Sequence, residues 1–202
     1  MIAIPQCLDF SDIHLTREIC KFYLKMLEIK NRDIYLHSQQ VANYAASTAA
    51  KLGLPASEVS QIKTGALLHD IGQLSVPNSI LAKLPFLSTR EMSIYKRHCI
   101  AGASMLENIP EFTYIIDIIR CHHEKWNGTG YPKRLKGQNI PIGARIVAVA
   151  NYYDRNINPC ITHWQKTHAD AIVELQNKAG LDFDPAIVKA FIESVIPQQT
   201  KK

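Results

Sequence analysis

Five of the eight histidines in this chain of 202 residues lie, together with one aspartate, at the ends of apolar helical stripes. The set comprises His37, His69 with Asp70, His98, and the adjacent pair His122 and His123. A single buried histidine is more often a hydrogen-bonded core residue than a ligand. Adjacent His-Asp and His-His pairs are harder to explain by packing, because a buried carboxylate without a partner is expensive. We therefore interpret the set as a metal site.

The types of ligand restrict the metal and its chemistry. Imidazole and carboxylate ligands suit iron, manganese or zinc, and the sequence does not choose among them. Six candidate ligands exceed what one tetrahedral ion needs, so we predict two divalent ions, with the Asp70 carboxylate as their bridge. Two such ions are typical of phosphate-ester hydrolysis, in which a metal-bound hydroxide attacks phosphorus.

The cysteines argue against other kinds of site. There are five, an odd number, and no C-x-x-C pair occurs, which disfavours a disulfide framework and a thiolate zinc site. Cys99 and Cys121 lie beside candidate ligands, and we interpret them as small buried residues.

The net charge of +5 is spread along the chain, which argues against a nucleic-acid polymer as partner. No run of 18 apolar residues or secretory signal is found, so we predict a cytoplasmic protein without a membrane partner.

The elements that must position these residues are helices, because apolar positions repeat with helical spacing and no alternating strand pattern appears. We predict one all-α domain, with helices over about 11–29, 32–52, 56–70, 88–108 and 111–124. Further helices follow Pro141, Thr167 and Asp184, and a capping box at Ser88 and Glu91 opens the fourth helix. Residues 73–87 and 126–132 are expected to be loops.

Three segments of the chain together closely resemble the HD-GYP domain, a branch of the HD superfamily of metal-dependent phosphohydrolases. They are His69-Asp70-Ile71-Gly72, residues 122–132 with the sequence HHEKWNGTGYP, and residues 140–146 with the sequence IPIGARI. The resemblance implies an HD-type helical bundle with a long G-Y-P loop over residues 31–202, preceded by an accessory helix within residues 1–30. It also implies a metal-dependent phosphodiesterase that converts cyclic di-GMP, a bacterial second messenger, to pGpG or GMP.

The same resemblance assigns roles to residues of this chain. The metal-binding histidines of the family fall on the five histidines above, and its bridging aspartate falls on Asp70. Asp33 falls where the family usually has a glutamate ligand, and its shorter side chain disfavours a third ion. Asn151 falls where the family has an aspartate ligand, and its uncharged amide makes it a weaker metal ligand. We assign Gln73, Tyr131 and Trp164 as substrate-contacting positions.

Several positions depart from the family pattern. Gln73 replaces a lysine that faces the substrate phosphate, and Asn127 replaces the aspartate of W-D-G. An ungapped alignment puts Cys160 and Trp164 where the family has an arginine and a lysine that grip the ligand. Each lost charge-assisted contact corresponds to about 1.5–3 kcal/mol. Among the remaining basic residues, the candidates to replace part of that charge are Lys96, Arg97 and Lys125.

These observations leave two functional hypotheses open. The first is an active metal-dependent phosphodiesterase acting on cyclic di-GMP or a related phosphodiester. The second is a catalytically degenerate HD-GYP module that binds a ligand or a protein partner, with the loop around Tyr131 as an exposed contact surface. A purely structural helical domain would leave the histidine set unexplained.

Overall fold

The computed structural model describes residues 13–158 and 165–199, and within them the chain forms helices without any strand, as the sequence predicts. The α-helices of these ranges are α1 (Ile13–Lys30), α2 (Arg32–Lys51), α3 (Ala56–Leu68), α4 (Asn78–Leu81), α5 (Thr89–Lys96), α6 (His98–Ser104), α7 (Thr113–Cys121), α8 (Ile142–Ile157), α9 (His168–Lys178) and α10 (Pro185–Gln199). Three short 3₁₀ helices cover Ile71–Ser75, Pro110–Phe112 and Gly137–Asn139. In the described ranges, no helix combines the length and the apolarity that a bilayer crossing requires.

Helix starts follow the local chemistry of the chain. The Ser88 hydroxyl accepts a hydrogen bond from the Glu91 backbone N–H, and the Glu91 carboxylate accepts one from Ser88, so the predicted capping box is present. The Thr167 hydroxyl accepts from the Asp170 backbone N–H and caps α9. Helix α8 follows Pro141, whose fixed φ suits the position before a first turn.

The predicted boundaries were wrong in three places, all next to candidate ligands. Residues 73–87 are not a plain loop, because they contain α4 and most of a 3₁₀ helix. The predicted helix over 88–108 is divided at Arg97 into α5 and α6, and it ends at residue 104. Helices α3 and α7 end at Leu68 and Cys121, so His69 and His122 lie just beyond a last helical turn. Helical periodicity does not show such breaks, because the apolar positions continue through them.

Two groups of buried apolar side chains hold the helices together, and the site lies between them. The larger group joins α2, α3, α8, α9 and α10 around residues such as Val41, Ile62 and Tyr153. The smaller group joins the end of α3 to α6 and α7 around Leu68 and Ile119. Helix α1 contributes a buried Leu27 to the bundle. His69, His98 and His122 therefore sit at helix ends that the apolar clusters fix in place, whereas His37 and Asn151 lie inside α2 and α8.

Candidate metal centre

Three of the predicted histidines lie one or two residues after the end of a helix, and each ring binds a carbonyl of the last turn of that helix. His98 is at the same time the first residue of α6. Their Nδ1 atoms donate to the carbonyl oxygen three residues earlier, where a helix end leaves acceptors free. The pairs are His69 with Ala66 at 2.7 Å, His98 with Tyr95 at 2.7 Å, and His122 with Ile119 at 2.8 Å. Because Nδ1 carries the donated proton in each pair, Nε2 is the ring nitrogen whose lone pair is available to a metal ion.

The bare nitrogens point toward one another in the protein interior. The Nε2 atoms of His98 and His122 are 3.4 Å apart, and both side chains are completely buried. Burial, together with the neighbouring rings, holds the pKa of His122 and His123 well below the usual range, so these rings are neutral. Two lone pairs that face each other at this distance repel, unless a cation lies between them. The geometry therefore favours a bound cation.

The Asp70 carboxylate lies at the centre of this arrangement and faces two sides. Its Oδ1 atom is 3.3 Å from His98 Nε2 and 3.9 Å from His122 Nε2, whereas its Oδ2 atom is 3.3 Å from His69 Nε2. Gly72 makes this approach possible, because a Cβ there would lie 1.9 Å from the His98 carbonyl oxygen. The absence of a side chain at residue 72 thus brings the His-Asp pair against α6.

Among the described residues, several buried polar atoms of the site have no hydrogen-bond partner. They are His69 Nε2, Asp70 Oδ1 and His123 Nε2. Buried polar atoms are hydrogen-bonded in the great majority of cases, so unpaired ones need an explanation. All of these atoms are good ligands for a divalent ion.

Cys99 lies closer to these ligands than the sequence suggested. Its Sγ atom is 3.5 Å from His98 Nε2, and one donor atom from each of Cys99, His98, His122 and His123 falls within 4.8 Å of the others. Burial raises the pKa of the Cys99 thiol, so the sulfur is a protonated thiol in this setting. The prediction of a small buried residue therefore describes its burial but omits its position beside the ligands.

His37 is held by a residue that sequence reasoning missed. Its Nδ1 atom is 2.5 Å from Asp154 Oδ2, and its Nε2 atom is 3.0 Å from Asn151 Oδ1. Burial lowers the pKa of His37 against the opposing effect of Asp154. A neutral ring that donates through Nδ1 to a carboxylate is the usual outer support of a metal-ligating histidine. Asp154 lies three residues after Asn151 on α8, a helical spacing that could have identified it.

Arg155 is the second residue that the sequence reasoning missed, and it enters the site itself. Its Nε atom donates to Asn151 Oδ1 at 2.9 Å, and its Nη2 atom donates to Asp70 Oδ2 at 3.2 Å. The Tyr95 hydroxyl is 3.4 Å from the same Nη2 atom. A guanidinium remains charged at any ordinary pH, so Arg155 is a permanent cation bound to two predicted ligand oxygens.

The site thus has two halves, with Asp70 shared between them. The three-histidine half consists of His98, His122 and His123, with Cys99 beside them. The arginine half consists of His37, His69 and Asn151, with the Arg155 guanidinium among them. The three-histidine half fits a divalent ion, because its donor atoms lie within 4.8 Å of one another and His123 Nε2 has no hydrogen-bond partner among the described residues. The oxygens of the arginine half already bind a cation.

The remaining sequence candidates lie outside this cluster or at its edge. A second group of donor atoms within 4.8 Å of one another comes from His37, His69 and Asp70. Asp33 is exposed in the first turn of α2 and belongs neither to this group nor to that of Cys99. The Gln73 side chain is buried, and within the described chain its amide has no hydrogen-bond partner. Tyr131 stacks on His123 with a ring separation of 4.8 Å and an interplanar angle of 18°. Cys160 and Trp164 lie outside the described residues.

The end of the G-Y-P loop is held in place by hydrogen bonds from its backbone N–H groups to a buried side chain. The buried Glu124 carboxylate accepts from the backbone N–H groups of Lys133 at 2.6 Å and Leu135 at 3.0 Å. A Cβ at Gly130 would lie 2.3 Å from the Lys125 nitrogen, so only glycine fits there. Tyr131 is half-buried against the histidines rather than fully exposed. A protein partner at this loop stays a prediction.

A cavity of about 310 Å³ opens onto the metal centre. His122, Asn151 and Arg155 contribute to its wall, together with Lys125, Lys178 and Asp182. The ammonium groups of Lys125 and Lys178 lie 3.0 Å and 3.3 Å from the Asp182 carboxylate. With the carboxylates of Asp182 and Glu124, the wall carries three cations and two anions, and this net positive charge beside the ligands suits an anionic small molecule.

Comparison with known proteins places the chain in a family. Residues 21–187 match the model of the HD domain. A 3'3'-cGAMP-specific phosphodiesterase of Vibrio cholerae is 32% identical over 195 residues, which cover 92% of this chain and 37% of that protein. A cyclic di-GMP phosphodiesterase of Thermotoga maritima is 31% identical over 87% of this chain and 48% of its own length. The chain therefore spans less than half the length of these relatives.

Solved structures share the fold at lower sequence identity. Bd1817, an HD-GYP protein from Bdellovibrio bacteriovorus, gives a TM-score of 0.67 at 23% identity, over 92% of this chain and 63% of that chain. The HD domain of the L. monocytogenes phosphodiesterase PgpH, in complex with cyclic di-AMP, gives 0.63 at 18% identity, over 88% and 95%. With the helical architecture and the clustered histidines, these findings confirm the resemblance read from the sequence: the chain belongs to the HD domain family, in its HD-GYP branch.

Proposed function

We propose that this chain is a metal-dependent phosphodiesterase that hydrolyses a cyclic dinucleotide, with cyclic di-GMP as the first substrate to test. The observation that carries the proposal is the convergence of histidine nitrogens and the Asp70 carboxylate next to a cavity whose wall includes His122 and His123. Relatives named for cyclic di-GMP and 3'3'-cGAMP hydrolysis support the class of substrate. These cyclic dinucleotides all contain phosphodiester groups, whose negative charge suits both the cationic side chains of the cavity and a metal ion held by the histidines.

One set of residues in the site would bind a metal ion, and a second set would bind the substrate. His98, His122, His123 and Asp70 would hold a divalent ion, which supplies Lewis acidity and an activated water when bound. The carbonyl partners of the imidazole rings fix which nitrogen is bare, so the ligands are oriented before any ion binds. Lys178 and Lys125 at the cavity wall are placed to bind the non-reacting phosphate, since both already face an anion, Asp182.

The test is a direct assay of hydrolysis. The protein is purified without oxygen and supplied with Mn²⁺, and cyclic di-GMP, 3'3'-cGAMP and cyclic di-AMP are each followed by anion-exchange chromatography. We expect a linear dinucleotide from at least one of them. Lys178→Ala should raise KM about 10-fold through loss of a charge-assisted contact, whereas the exposed Lys63→Ala on α3 should not change it. Absence of product from every cyclic dinucleotide, at enzyme concentrations near that of substrate, would contradict the proposal.

A second candidate function is binding without turnover, and a specific observation favours it. Arg155 binds Asn151 and Asp70, two of the groups that hydrolysis by two ions would need. In that case the chain would act as a cyclic dinucleotide receptor. Isothermal titration calorimetry of each dinucleotide separates the two functions: binding without product supports the receptor, and binding with product supports the enzyme.

A further inference from the structure

We propose that the Arg155 guanidinium replaces one of the two divalent ions that the sequence predicts, so that the chain binds a single ion in the three-histidine half. The inference deepens the proposed function, since it concerns the same site, but it rests on the metal centre and not on turnover. In this proposal the guanidinium of Arg155 supplies the positive charge that a second metal ion would otherwise supply.

The contacts of the guanidinium are those a metal ion would need. A metal ion in the arginine half would bind the Asp70 and Asn151 oxygens, and Arg155 donates to both of them, at 3.2 Å and 2.9 Å. A second ion would have to displace a hydrogen-bonded cation from a buried carboxylate. Breaking such a pair is unfavourable, because the displaced charge must find another partner. The two cations therefore compete for the same oxygens.

The charges of the site support the same conclusion. Asp70 is the acidic residue that both halves share, since it faces His98 on one side and His69 on the other, and the Nδ1 atoms of these two rings are bound to carbonyls. With Asp154, which binds His37, the site holds two carboxylates, so one guanidinium and one divalent ion leave one positive charge for a phosphodiester to neutralise. Two divalent ions with the guanidinium would place five positive charges around two carboxylates, which is repulsive at these distances.

Helix geometry links Asn151 and Arg155 on α8. Residues 151 and 155 are one turn apart on the same helix face, and Arg155 already donates to the Asn151 side chain, so a carboxylate at 151 would pair with the arginine at 155. An aspartate at residue 151 alone should not bring in a second ion, because its charge would be neutralised by Arg155.

The test counts metal ions and does not depend on activity. The natural chain, Asn151→Asp, and the double variant Asn151→Asp with Arg155→Ala are loaded with Mn²⁺, freed of excess metal by gel filtration, and analysed by mass spectrometry for metal per chain. Electron paramagnetic resonance then distinguishes isolated Mn²⁺ from a spin-coupled pair. We expect one ion in the natural chain, one in Asn151→Asp, and two spin-coupled ions in the double variant.

The matched control is Lys178→Ala, which removes a cation from the same cavity without touching the ligand oxygens, and it should retain one ion. Arg155→Gln combined with Asn151→Asp preserves side-chain bulk and should also bind two ions, which covers a failure of the alanine variant to fold. Two ions in the natural chain, none in the natural chain, or one ion in both folded double variants would each overturn the inference. One ion without turnover would overturn the proposed function and leave this inference standing.

Discussion

The two halves of the metal centre are built from the same types of side chain but differ in the source of positive charge. In the three-histidine half, bare nitrogens face each other at 3.4 Å without a protein cation between them. In the arginine half, the guanidinium of Arg155 satisfies the Asp70 and Asn151 oxygens. The difference indicates that a side-chain cation can occupy the oxygens of a site whose other half keeps its donor atoms available for an ion, which is the basis of the one-ion proposal.

The largest expected effect comes from removing a ligand of the three-histidine half. His122→Ala should reduce the metal content from one ion per chain to none and lower turnover by more than about 100-fold, because a direct ligand is lost. His37→Ala is the matched variant in the arginine half, and it should retain one ion. Metal analysis of both folded proteins measures the contrast, and equal loss of metal from both would break the distinction between the halves.

A backbone contact holds the two halves together, and Gly72→Ala should disrupt it. The added Cβ would overlap the His98 carbonyl at 1.9 Å, so the 3₁₀ helix and α6 must separate. We expect a loss of about 3 kcal/mol in the free energy of unfolding, measured by urea denaturation, with weaker metal binding. Gly137→Ala, where no atom lies within 4 Å, is the control for backbone strain alone and should leave metal binding unchanged. Unaltered metal affinity in a destabilised Gly72→Ala would show that the halves do not depend on this contact.

Asp154→Asn should separate structural support from metal binding in the arginine half. Asp154 accepts the Nδ1 hydrogen of a fully buried His37, and the amide weakens this charged hydrogen bond. The free energy of unfolding should fall by about 2 kcal/mol, while the metal content stays at one ion per chain. Thermal denaturation and metal analysis on the same sample give both values. Loss of metal in this variant would mean that the ion lies in the arginine half.

Glu124→Gln should have the smallest effect, since it acts on the loop next to the three-histidine half. The carboxylate binds the backbone N–H groups of Lys133 and Leu135, and the amide can accept through only one of its two terminal atoms. We expect about 1 kcal/mol of destabilisation and faster hydrogen exchange at those two amides, with the metal content retained. Exchange as slow as in the natural chain would show that other contacts hold the loop.

The helical class and the convergence of the histidines could be predicted from the sequence, since both follow from apolar periodicity and ligand type. His69, His98 and His122 were placed on the correct stripes, and the structure brings their rings together. Their positions after helix ends were not predicted. The break at Arg97 and the ends of α3 and α7 depend on hydrogen bonds from imidazole to carbonyl, which periodicity does not encode.

Arg155 and Asp154 could not be found by matching positions to a family, because neither replaces a ligand. Each follows Asn151 at helical spacing, so each shares a face with it, and only the folded chain shows that an arginine side chain reaches Asp70 across to another helix. The long, flexible arginine side chain leaves that reach undetermined by sequence. The sequence pattern that indicates Arg155 is an arginine on α8 one helical turn after Asn151, at which the family has an aspartate.

The position of the bound metal tests the central claim most directly. Crystals of the natural chain grown with Mn²⁺ would be measured on both sides of the manganese absorption edge. We expect one anomalous peak per chain, among His98, His122 and His123, with the Arg155 guanidinium still bound to Asp70. Two peaks, or a single peak between His37 and His69 with Arg155 displaced, would contradict it.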